Sequence, residues 1–156
     1  MGYDLHAVIA NTEPLRRMCA ELPNAKIALL RQGLSLLPIT DELFDAVADR
    51  EAEGHPDFWR LPNGFDLVLA RWSHVAPVAY VEAEYFGGVG EQCAAVWRDG
   101  HLILGPLKVG EMEPSPPEGT PISQALRTFG AHAHGAHDEF DAVGLDAHRD
   151  TNKWIS

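Results

Sequence analysis

A chain of 156 residues, 46% hydrophobic and 22% charged, has the size and composition of one soluble globular domain with its own core. Twelve Lys and Arg against 23 Asp and Glu give a formal charge of −11, which argues against binding a phosphate backbone and favours a basic partner. No apolar run approaches the roughly 20 residues of a membrane span, and the start, MGYDLHAVIANTEP, has no basic segment leading into an apolar one, so no membrane association and a cytoplasmic location are expected.

Residues 3–10 alternate loosely, with apolar residues on both faces, and predict a central strand. Thr12 then caps a helix whose stripe is Leu15, Met18, Cys19 and Leu22, ended by Pro23. Lys26 to Arg31 and Leu34 to Ile39 read as two short strands around Gln32-Gly33. Thr40 is an N-cap for a helix from Asp41 to Glu53, buried through Leu43, Phe44, Val47 and Ala48. Its other side gathers Glu42, Asp45, Asp49 and Glu53, which reads either as a solvated face or as a docking surface for a basic protein. A loop with Phe58 and Trp59 follows, and Asn63 caps a helix over Gly64 to Val75 with Phe65, Val68, Leu69 and Trp72 turned to the core.

The stretch from Pro77 to Val109 reads as a three-stranded antiparallel meander, turning at Gly87-Gly88-Val89-Gly90 and at Asp99-Gly100. A four-residue first loop pairs Phe86 with Glu91, Glu84 with Cys93 and Glu82 with Ala95. That pairing puts Glu82, Glu84 and Glu91 on one face with Tyr80, Phe86 and Trp97. Glu111 to Gly119 is a polar, Pro-rich surface loop, and Thr120-Pro121 starts a helix with Ile122, Ala125, Leu126 and Phe129 inward and Gly130 as its stop. The tail, residues 131–156, is weakly patterned and predicts no definite element. Together these elements predict a single α+β domain over residues 1–156. Its antiparallel or mixed sheet has about five to six strands built around the meander at 77–107, with helices mainly on one face.

Three groups of residues carry chemical potential. His132, His134 and His137 have the spacing of the HxHxDH motif of metallo-β-lactamase-like hydrolases, but Ala136 stands where the ligating Asp belongs. With Asp138, Glu139 and His148 the segment offers ligands for a weaker metal site, or it is a His-rich flexible stretch; no metal or cofactor is expected. The meander carboxylates read as a solvated face, as a binding face, or as an acid/base pair of the kind used in glycoside hydrolysis. Cys19 and Cys93 sit among apolar neighbours and read as small buried hydrophobes, and the glycine loop has neither the spacing nor the following helix of a phosphate cradle.

The phrases AYVEAEYFGGVGEQCAAVW, GYDLHAVIA and DEFDAVGL resemble small uncharacterised acidic actinobacterial proteins. The resemblance implies the polymorphic-toxin immunity type, in which a small acidic α+β protein neutralises a toxin by binding it; it implies no particular site residues. The expected function is accordingly a non-catalytic acidic module binding a basic protein through Glu42, Asp45, Asp49, Glu82, Glu84, Phe86 and Glu91. The alternative is a small hydrolase or transferase using the meander carboxylates.

Overall fold

The computed structural model describes residues 2–23, 25–86 and 89–155. In chain order its elements are β1 (Gly2–Asn11), α1 (Thr12–Cys19), β2 (Ala28–Leu29), β3 (Leu34–Pro38), α2 (Asp41–Val47), α3 (Phe65–Trp72), β4 (Val78–Phe86), β5 (Val89–Arg98), β6 (His101–Val109), α4 (Pro121–Arg127) and α5 (Glu139–Val143). Two short 3₁₀ turns, Leu145–Ala147 and Thr151–Ile155, complete it. The six strands make one antiparallel sheet in the order β2-β3-β1-β4-β5-β6, an α+β fold.

β1 lies between β3 and β4 and is buried on both faces from Leu5 to Ala10, which accounts for its nearly continuous apolar sequence. Because side chains alternate along a strand, Val8, Ala10, Val78, Tyr80, Cys93, Ala95 and Trp97 share one face and pack under α1, α2 and α3. Leu5, Ala7, Ile9, Ala79, Val81 and Ala94 form the other, covered by α4, α5 and the 3₁₀ turns through Ile122, Leu126, Val143, Leu145 and Trp154. Most helical residues thus share a face, and the segment after Gly130, for which no element was predicted, closes the second core.

The turns follow their residues. Gln32 and Gly33 have φ of 60° and 76°, and Asp99 and Gly100 have 52° and 83°, the positive values a type I′ connection requires. Thr40 and Thr120 cap α2 and α4 with their side chains, at 3.2 Å from Leu43 N and 3.3 Å from Ser123 N.

Elsewhere tertiary contacts override local pattern. Thr12 does not cap α1; Asn11 holds the cap position, and the Thr12 hydroxyl contacts Gly33 O and Ser35 Oγ instead. Helix α2 stops at Val47 rather than Glu53, since the Asp49 N–H bonds the Asn63 carbonyl at 2.9 Å and leaves the helical ladder. Asn63 is likewise not a cap: its side-chain amide donates to Ala52 O at 3.1 Å, and Gly64, at φ 81°, opens α3. The predicted strand at 26–31 shortens to Ala28–Leu29.

The β4–β5 register also differs. Phe86 pairs with Val89, Glu84 with Glu91 and Glu82 with Cys93, two positions tighter than a four-residue loop gives. A shift of two preserves the face of every side chain, so the predicted grouping of Glu82, Glu84 and Glu91 survives an incorrect register. Gly87 and Gly88 of the predicted loop lie outside the described residues.

Candidate functional site

Two rows of polar side chains cross the sheet where α1–α3 do not cover it. In the inner row His6 stands directly opposite Glu82, and Glu82 opposite Cys93; in the outer row Asp4 stands opposite Glu84, and Glu84 opposite Glu91. All share the face of Val8 and Tyr80 because they lie an even number of residues away along the same strands.

The inner row is closed. Glu82 is 0% exposed, and its carboxylate accepts the backbone N–H groups of Trp59 at 3.0 Å and Arg60 at 2.8 Å and the Tyr80 hydroxyl at 2.8 Å. Phe58 packs edge-on against the Tyr80 ring at 5.0 Å and Leu61 is buried, so the loop that supplies these donors is clamped onto the sheet. The expectation that Glu82 contributes to an exposed partner-binding face is therefore corrected: burying a carboxylate requires saturating it with donors, and those donors cover it. Burial, with the Glu82 charge beside it, holds the Tyr80 phenol well above its ordinary value.

His6, only 6% exposed, sits between two carboxylates, with Nε2 at 2.6 Å from Asp4 Oδ1 and Nδ1 at 3.7 Å from Glu82 Oε2. Burial alone pushes its pKa down, but the bond to Asp4, the nearby Glu82 carboxylate and the charges of both outweigh that and raise it to about 9. Reciprocally, the bond to His6 holds the Asp4 carboxyl below its usual range. The backbone fixes this pair from both sides. β3 leaves β1 at Pro38, and the C-terminal segment takes its place: Asp4 N–H bonds Arg149 O at 2.8 Å, His6 N–H bonds Thr151 Oγ1 at 3.1 Å, and the Thr151 hydroxyl donates to Asp4 O at 3.2 Å.

The outer row is open. Glu84 is exposed and Glu91 partly so, and among the described residues neither has an ion-pair partner, since Arg60 is bound to Asp41. A cavity of about 350 Å³ opens between Asp4, Asp41, Trp59, Arg60, Glu84 and Asn152. A second, of about 310 Å³, shares Asp41 and reaches Glu42, so the acidic band runs from β5 to the start of α2. Asp45 is exposed on α2, whereas Asp49 lies beyond the helix end, its carboxylate accepting from Glu51 N at 3.0 Å. Phe86 is 79% exposed at the tip of β4, opposite Val89. Trp59 stands edge-on to His6 on one side and under Lys108 Nζ, 6.0 Å from its ring centroid, on the other.

Sequence reasoning singled out none of Asp4, His6, Arg60 or Thr151. One signal was available: Asp4 and His6 interrupt an apolar strand at i and i+2, the same spacing as Glu82 and Glu84. That the two pairs face each other follows only from β1–β4 pairing.

The other chemical candidates are dispersed. His132 and His134 rings lie 3.6 Å apart, yet among the described residues no three His, Cys, Asp or Glu side chains gather as metal ligands. Cys19 and Cys93 are buried free thiols, each pushed up to about 12, chiefly by burial, and unsuited to nucleophilic work. Among the described residues no helix is long and apolar enough to cross a membrane. Compared with protein-family models, with curated proteins and with solved structures, the chain matches none.

Proposed function

We propose that this chain is a non-catalytic binding module that neutralises a basic protein partner, in the manner of an immunity protein. The observation that carries the reading is the outer row: Asp4, Glu84 and Glu91 stand directly opposite one another across β1, β4 and β5. Like charges in such positions destabilise a sheet by roughly 0.2–1 kcal/mol per pair, a cost that Lys or Arg side chains of a partner remove on docking. Asp41 and Glu42 continue the band, Asp45 extends it along α2, and exposed Phe86 supplies an apolar anchor at its edge. The hydrolase or transferase reading has less support, because both Glu82 oxygens are occupied by the loop and by Tyr80, which leaves no acid/base pair with Glu84.

The test is binding kinetics against basic proteins encoded beside this one, over a range of ionic strength. Electrostatic complementarity acts mainly on association, so the expected result is an on-rate that falls steeply with salt, and that Glu84→Lys and Asp45→Lys slow without unfolding the domain. Absence of binding by every such protein overturns the proposal.

A further inference from the structure

Away from the acidic band, a cavity of about 440 Å³ lies between the β2 edge and the C-terminal segment, lined by Leu29, Leu30, Arg31, Val143, His148 and Trp154 among others, with no Asp or Glu in its wall. In a chain of net charge −11 that is a local reversal of sign. Its two sides are tied together: Arg31 N–H bonds Val143 O at 2.8 Å, and the Arg31 Nε lies beside Gly144, whose φ of 94° ends α5. Arg31 is exposed and, among the described residues, forms no ion pair with a carboxylate.

Donors without acceptors accumulate here. Trp154 is only 9% exposed, and its buried indole Nε1–H has no hydrogen-bond partner among the described residues. Buried donors are nearly always paired in folded proteins, so an orphan on a residue of the cavity wall points to an acceptor that arrives from outside. The sheet edge contributes as well. Leu30 N–H bonds Leu34 O at 2.9 Å, and since an antiparallel ladder alternates, the N–H and C=O of Leu29 point away from β3 on the open edge.

We infer that this cavity binds a small organic carboxylate with an apolar body, its head group on Arg31 and the Trp154 indole and its body against Leu29, Leu30 and Ala147. The planar guanidinium matches a carboxylate with two parallel hydrogen bonds, and one fixed positive charge balances one negative charge, which suits a monoanion better than a phosphate dianion. The volume lies within the range of small-molecule sites. This site is separate from the acidic band and stands whether or not that band binds a basic protein.

The experiment follows the Trp154 indole N–H resonance, assigned through Trp154→Phe, while the intact protein is titrated with sodium octanoate, octylammonium chloride and inorganic phosphate at matched pH and ionic strength. Octanoate is expected to shift that resonance saturably at up to about 10 mM, with Arg31→Gln weakening it about tenfold or more and Arg31→Lys falling between. Octylammonium and phosphate are expected to leave the resonance in place. A response to octylammonium equal to that of octanoate shows apolar adsorption and overturns the inference, as does an equal response to phosphate alone. An octanoate response unchanged in Arg31→Gln, or no saturable response, overturns it too; the remaining amide resonances report whether each variant is folded.

Discussion

The Tyr80 hydroxyl donates to Glu82 Oε2 at 2.8 Å from two residues away on the same strand, so one strand face carries both a fully buried carboxylate and one of the groups that satisfies it. The remaining acceptor capacity of Glu82 is met by Trp59 and Arg60 N–H, which ties the 57–61 loop to the sheet centre. Glu82→Leu is expected to leave three donors without their acceptor, each costing about 1–3 kcal/mol, and so to destabilise the domain by more than about 3 kcal/mol. Tyr80→Phe removes one bond of this set and is expected to cost about 1–2 kcal/mol. Urea unfolding followed by tryptophan fluorescence measures both; a loss below 1 kcal/mol for Glu82→Leu, by the same scale, rejects the clamp.

The His6–Asp4 pair sets a pH window. The folded pKa of His6, about 9, is above its ordinary 6.5, so its contribution to stability is fully present below 6.5 and is lost as pH rises through 9. Asp4 is depressed, so its contribution is present above its ordinary 3.8 and is lost as pH falls through its folded value. The pair therefore stabilises most between about 4 and 6.5. His6→Gln is expected to remove the decline in urea midpoint between pH 6.5 and 9.5 and leave a flatter profile; a profile as steep as that of the parent chain excludes His6 as its source.

Relief of the Glu84 repulsion separates function from stability. Glu84→Lys places a cation between Asp4 and Glu91 and is expected to stabilise the free domain by about 0.5–1 kcal/mol while slowing association with a basic partner. Thermal unfolding and binding kinetics on one preparation test the two signs together. Destabilisation by Glu84→Lys shows that the carboxylate row is not under strain.

Strand β5 tolerates no added methyl group at Gly90. A Cβ there sits 1.9 Å from Glu84 O and 2.7 Å from Tyr85 Cα, both backbone atoms that cannot turn aside. Gly90→Ala is expected to cost about 2 kcal/mol or more, read as a lowered urea midpoint, and to disturb the Tyr85 hydroxyl contact with Gln92. Gly130→Ala, with no atom within 4 Å of the added carbon, isolates the cost of a positive φ alone and is expected to be milder.

By itself the sequence determined the elements whose cause is local. Asp99-Gly100 and Gln32-Gly33 specify their turns because few residues tolerate positive φ. Thr40 and Thr120-Pro121 start helices because they satisfy or dispense with end N–H groups, and apolar residues on both faces of β1 mark it as a central strand. The three meander carboxylates were placed on one face even through a misread register, since a slip of two residues leaves side-chain direction unchanged. Only the tertiary structure decided which of them meets solvent. Glu82 and Glu84 lie two residues apart on one face of one strand, yet the loop from Asp57 to Leu61 folds over the first and stops short of the second. The end of α2 at Val47 and the placing of His6 against Glu82 have the same origin: each depends on a partner distant in the chain, Asn63 for the first and β4 for the second, and residues that meet across a sheet or a loop are not brought together by sequence order.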